Sequence, residues 1–256
     1  MTTATATTGT AITERSARSR PGDIWRIIRL QAVNPSMLFG IPWMILGGAL
    51  VVTILIALIL RGAGISDAED GFRYSWAVLS PQWYLIAVGV QAVAFTFSFA
   101  LGFGATRRDY WIGTSAMFLF VSFEMAVAIA TLVQVEKATN GWWIGAGMFD
   151  TLWYGQQGWW FDFYSTFALQ LLVLFIGASI TTIYMRWRMR GMITLLAVGI
   201  AALLALVAGL TFSDSWGAVF EWVASIGLVG VFTILLVKAV FWAVLGYFVI
   251  RRATPR

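Results

Sequence analysis

Apolar runs of about 20 residues, each closed off by a short charged segment, constrain this chain more than any other feature. A run of that length crosses a ~30 Å hydrocarbon core as a helix, and in hydrocarbon every backbone N–H and C=O must find its partner inside the segment. Of the 256 residues 60% are apolar and only 11% are charged, against the roughly 25% charged residues of an ordinary soluble domain. The pattern predicts an all-α, polytopic membrane protein with six transmembrane helices, over residues 38–60, 82–103, 113–135, 163–184, 192–212 and 227–250. No large domain interrupts them, so residues 21–256 read as a single six-span transmembrane domain.

Residues 1–20 are Thr, Ala, Ser and Arg with few large apolar side chains. They are expected to form a disordered cytoplasmic tail and not a signal peptide, because no apolar core of 7–15 residues follows the first charges. Beyond them Asp23 can cap a short helix that ends at Asn34-Pro35. Ile24, Ile27, Ile28 and Gln31 share one side of that helix and Arg26 and Arg29 lie on another, which predicts an N-terminal amphipathic helix flat on the membrane surface.

Sorting basic residues by loop sets the orientation. Arg15, Arg18, Arg20, Arg26, Arg29, Arg107, Arg108, Arg186, Arg188, Arg190, Arg251, Arg252 and Arg256 fall on one side, and only Arg61, Arg73 and Lys137 on the other. The positive-inside rule then puts both termini in the cytoplasm. Asp67, Glu69, Asp70, Glu136, Asp150, Asp162, Asp214 and Glu221 fall in the expected outer loops. With no Cys and no His, disulfides, thiolate chemistry, haem ligation and nearly all zinc sites drop out. A nucleic-acid partner is not expected, since no soluble basic domain exists to hold one.

The first inner loop, GATRRDYWIG at 104–113, carries most of the chemistry outside the spans. Gly102 and Gly104 suit a helix end, Arg107 and Arg108 supply the inward charge, Asp109 sits near a new helix start, and Tyr110 and Trp111 suit a membrane interface. The bland reading is a topology signal. The sharper one is a compact knob for a cytosolic partner, because Arg, Tyr and Trp dominate binding hot spots.

A basic N-terminal surface helix, a first span, a second span running into this G-x-x-R-R-x-Y-x-x-G turn, and four further spans resemble the permease subunits of type-2 ABC exporters, particularly the six-span ones of actinobacteria. The likeness covers most of the chain after Pro21. It implies that the turn is a coupling helix docking on an ATPase subunit, with that role falling to Arg107, Arg108, Asp109 and Tyr110. It also implies a second permease copy or similar permease, and a bacterial cytoplasmic membrane location. No G-x-x-x-x-G-K-[ST] run occurs, so ATP and Mg are expected on the partner ATPase, with no cofactor on this chain and no enzymatic activity of its own.

Glu124 and Lys238 fall at mid-span in the third and sixth runs, and Gln91 and Gln170 near mid-depth in the second and fourth. A charge there costs about 2.5–3.5 kcal/mol on insertion scales. Glu124 and Lys238 are expected either to pair or to line a translocation path. Ala197, Ala201, Ala205 and Gly209 recur every fourth residue and form a small-residue stripe suited to close helix packing, within the subunit or at a dimer seam. Trp142, Trp143, Trp153, Tyr154, Trp159, Trp160, Phe161, Phe163 and Tyr164 read as an aromatic belt at the outer interface, with a lid or lipophilic binding surface as the alternative. Residues 213–226 read as a short re-entrant or surface helix.

The function expected is export of an amphiphilic substrate such as a drug, peptide antibiotic or lipid, driven by ATP on the partner. The rival readings are a stand-alone ion- or proton-coupled carrier using Glu124 and Lys238, and a non-transporting membrane immunity or scaffold protein.

Overall fold

A computed structural model of the chain describes residues 21–32, 35–64 and 71–253, with backbone alone at 21–23. The tail at 1–20, the side chain of Asp23, Asn34, the acids Asp67, Glu69 and Asp70, and Arg256 lie outside the described residues. Among the described residues every regular element is helical. α1 covers Pro21–Gln31. A π-turn at Ser36–Gly40 leads into α2, Ile41–Gly62. α3 covers Ser80–Gly102, α4 Arg107–Ala138, α5 Trp159–Phe212 and α6 Trp216–Ile250. Five helical stretches, at 36–62, 77–102, 107–138, 159–212 and 216–250, are long and apolar enough to cross a membrane. They mark a membrane-embedded protein.

Five such stretches stand where six are expected, because α5 runs through two of the expected spans. Its 54 residues would measure about 81 Å as one straight helix, more than twice a hydrocarbon core. The backbone leaves helical geometry once within it, at Arg188 (φ 54°, ψ −146°). That break falls in the segment 185–191 where an inner loop is expected. α6 breaks in the same way at Gly227 (φ 61°, ψ −175°), the position expected to begin the last span, and leaves 216–226 as a short helix of its own.

The core lies where α3, α4 and the first limb of α5 meet α6. Val88, Phe97, Phe118, Val121, Leu174 and Ala178 are buried there, with Phe118 set edge-on against Phe175. α3 and α5 approach so closely that a Cβ on Gly89 would stand 2.3 Å from the Leu174 carbonyl oxygen, and one on Gly177 2.3 Å from the Ile86 carbonyl oxygen. Only glycine permits that crossing. Trp111 Nε1 donates to the Ala243 carbonyl (3.1 Å) and the Ser179 hydroxyl to the Trp242 carbonyl (2.6 Å), tying α4 and α5 to α6.

The second limb of α5 differs. Ala197, Ala201, Ala205 and Gly209 are all exposed, and nothing lies within 4 Å of where a Cβ on Gly209 would point. The stripe therefore packs against no helix among the described residues.

Candidate functional site

At one end of the bundle the turn between α3 and α4 is built from its own side chains. Thr106 is the N-cap of α4, accepting from the Asp109 N–H (3.1 Å) while its hydroxyl donates to Asp109 Oδ2 (2.7 Å). The acid at the third position also favours the positive end of the helix dipole. Asp109 and Tyr110 are consequently buried, and the Tyr110 hydroxyl donates to the Ala92 carbonyl (2.8 Å) and lies 2.9 Å from Thr96 Oγ1. Ring contact with Phe97 completes the seat of Tyr110.

This corrects part of the expected knob. Tyr110 and Trp111 are buried in the core, and Asp109 serves the cap. Arg107 reaches across to donate to the Arg251 carbonyl (2.8 Å), and Arg108 is exposed. Of the four residues named for the turn, Arg108 is the one whose side chain is left fully to the outside.

α1 rests on the same corner. Ile27 and Gln31 are buried, Ile24 and Ile28 half-buried, and Gln31 Nε2 donates to Thr114 Oγ1 on α4 (2.6 Å). Arg26 and Arg29 face outward and, with Leu30, Phe103 and Gly104, line a 520 Å³ cavity between α1 and the turn. The apolar face of α1 thus packs on protein, where the sequence pattern had assigned it to the membrane surface.

Within the spans the expected pair does not form. Glu124 Oε1 accepts from Trp43 Nε1 of α2 (3.0 Å), while Lys238 is exposed on α6 with no carboxylate partner among the described residues. Glu124 Oε2 is buried without a hydrogen-bond partner. Gln170 is fully buried and neither of its amide atoms is bonded. Gln91 is half-buried and lines a 270 Å³ cavity with Gln31, Leu38, Val88 and Phe99. The four intramembrane polar residues do not converge on one site.

The opposite end is closed by residues 139–158. Glu136, 2% exposed, accepts from the backbone N–H groups of Met148, Phe149 and Asp150 at 2.8–3.1 Å and from Trp142 Nε1 at 2.8 Å. Asp162, also buried, accepts from the Gly155 N–H (2.8 Å). Lys137 bonds the Gly155 carbonyl and pairs with Asp150 at 3.6 Å. Around these acceptors Met148, Phe149 and Tyr154 form a buried cluster, and the Leu152 N–H donates to the Arg73 carbonyl (3.0 Å), joining this loop to the one after α2. Burial pushes the Tyr154 phenol up to about 12.

The aromatic loop is therefore a folded cap. Trp142 bonds Glu136, Trp153 packs on Phe232, and among the large aromatics of this loop Trp143 and Trp160 stand exposed. Trp142 and Trp143 hold left-handed backbone (φ 59° and 62°), and their N–H groups donate to Thr139, to its Oγ1 (3.0 Å) and its carbonyl (2.9 Å) respectively.

Glu136 and Trp43 are not among the expected site residues. The Thr106-x-x-Asp109 pattern was a capping signal available in the sequence, whereas nothing local announced that a loop 12–14 residues on would wrap the Glu136 carboxylate. No protein-family model, no curated protein and no solved structure matches this chain.

Proposed function

We propose that this chain is the membrane-spanning permease subunit of an ATP-driven exporter, crossing the bacterial cytoplasmic membrane six times with both termini in the cytoplasm. The six-crossing reading is supported by the break at Arg188, which leaves two limbs of α5 each long enough to cross, and the orientation by the charge asymmetry of the loops. The observation that carries the functional reading is the rigid corner made by α1 and the 103–108 turn. It is capped by Thr106, bonded through Gln31 and Thr114, and continuous with the core through Tyr110, while Arg108 projects from it.

A corner tied in this way suits transmission of force from a cytosolic ATPase, because these contacts link the turn to both α4 and α3. The ATPase, with its ATP and Mg, is a separate chain, and a second permease copy completes the path. An amphiphile such as a drug, peptide antibiotic or lipid is the substrate class that apolar spans with few buried charges serve.

The test is co-purification of the tagged chain with a P-loop ATPase from its own host. Arg108→Glu reverses an exposed charge and disturbs no hydrogen bond described above. It should abolish the association while leaving membrane insertion and thermal stability intact. Wild-type recovery of ATPase with Arg108→Glu, and also with Arg107→Glu added, would refute the docking assignment. Transport that survives ATP depletion but collapses with the ion gradient would favour a carrier.

A further inference from the structure

The basic end holds a second feature that coupling to an ATPase does not use. Arg186, Phe248, Val249, Arg251 and Arg252 line a 480 Å³ cavity between α5, just before its break, and the end of α6. That volume falls in the usual range for ligand sites, roughly 300–1,000 Å³. Three of its five lining residues are guanidinium groups, and no carboxylate lines it. Among the described residues none of the three arginines has a carboxylate partner; the ion pair found there is Lys137–Asp150, at the other end of the bundle.

Two of the three arginines lie over ring faces. Arg186 lies 4.2 Å over Trp187, and Arg251 5.6 Å over Tyr247. A guanidinium stacked on a ring keeps its N–H edge free for an acceptor. The Arg251 carbonyl, an oxygen that would repel an incoming anion, is already engaged by Arg107. Like charges sharing one cavity repel unless an anion enters.

The apolar surroundings select among anions. Phe248 is 59% exposed, and Phe241 and Val244 lie on the same face of α6, likewise exposed. A small soluble anion has no use for such a face, whereas acyl chains do. We infer that the cavity between Arg186, Arg251 and Arg252 binds the phosphate of an anionic phospholipid, whose chains run along Phe241, Val244 and Phe248. Arginine forks suit a phosphodiester, and basic pockets on the cytoplasmic side of helix bundles suit lipid head groups.

The experiment is lipid titration of the purified full chain in nonionic detergent, read by native mass spectrometry. Phosphatidylglycerol should bind about tenfold more tightly than phosphatidylcholine with the same chains, which is about 1.4 kcal/mol shared among the three arginines. Replacing Arg186, Arg251 and Arg252 together by Gln should bring the preference within about twofold, and replacing all three by Lys should restore part of it. Arg190→Gln, which removes an exposed charge outside the cavity, should change nothing.

Should the triple Gln variant not remain monodisperse, Arg252→Gln alone serves, with a two- to threefold loss expected as its share of the roughly tenfold preference. A monodisperse triple Gln variant that keeps the full preference would overturn the proposal. So would displacement of the lipid by inorganic phosphate or chain-free glycerophosphoglycerol at equal concentration, which would mark a soluble-anion site. These outcomes do not depend on any ATPase.

Discussion

In the cap at residues 136–162, Glu136 is engaged by four donors, Asp162 by Gly155 and Lys137 by Asp150. At the end carrying 103–108, 186–190 and 251–252, Arg108, Arg188, Arg190 and Arg252 face outward. The same residue classes thus do opposite jobs. Charge in the first region ties a loop to the helix ends beside its buried apolar cluster, and charge in the second stands exposed.

The comparison breaks first at Glu136. Removing its carboxylate as Ala leaves four donors, most of them buried, without a charged acceptor, at about 1–3 kcal/mol each and not additively. Glu136→Ala should cost about 3–5 kcal/mol by thermal unfolding followed through tryptophan fluorescence. Arg108→Glu should cost less than about 0.5 kcal/mol in the same assay. Equal effects would remove the distinction between the two ends.

The cap also predicts an alkaline limit. Buried Tyr154 accepts a hydrogen bond from the Thr166 hydroxyl (3.1 Å), and its folded value of about 12 lies above the ordinary 10.0. A raised value favours the neutral phenol in the fold, so its contribution is complete below pH 10 and declines as pH rises toward 12. The decline should amount to about 2–3 kcal/mol, and Tyr154→Phe should flatten that part of the stability profile. An unchanged alkaline slope in Tyr154→Phe would place the limit elsewhere.

Smaller effects sharpen a second contrast, between the packed first limb of α5 and its bare second limb. Gly177→Ala and Gly89→Ala force a Cβ into backbone atoms at 2.3 Å and should each cost about 1–3 kcal/mol. Gly199→Ala and Gly209→Ala meet nothing within 4 Å and should be neutral or stabilising by up to about 1 kcal/mol. Melting temperatures of the four variants decide this, and a large loss at Gly209 would reveal a partner on that face. Smallest of all, Gln170→Leu replaces a buried amide that has no bonded partner and should gain up to about 1 kcal/mol. Lost transport in that more stable variant would assign Gln170 to the path.

Helix positions were legible because depth along a crossing helix is linear in sequence, about 1.5 Å per residue. The breaks at Arg188 and Gly227 fall where the apolar runs pause. Facing direction is not linear. Glu124 and Lys238 share a depth, but each residue turns a helix by a little over a quarter turn, and packing of the neighbours decides which side meets which. The indole of Trp43 supplied a donor that no depth argument could nominate.

Tyr110 failed for a related reason. A tyrosine beside arginines suits a membrane interface and a core equally, and the choice was made by the Ala92 carbonyl and Thr96, 14–18 residues upstream. Aromatic richness at 142–164 carried no sign of the carboxylates, Glu136 and Asp162, that bond this loop.

The proposed topology puts the two ends on opposite sides of the membrane, the arginine end toward the cytoplasm. The chain has no cysteine, so single cysteines at 143, 108 and 190, all exposed positions, report without background. In intact cells a membrane-impermeant maleimide should label position 143 alone, and positions 108 and 190 only after permeabilisation. Labelling of 108 or 190 in intact cells, with 143 protected, would contradict the account.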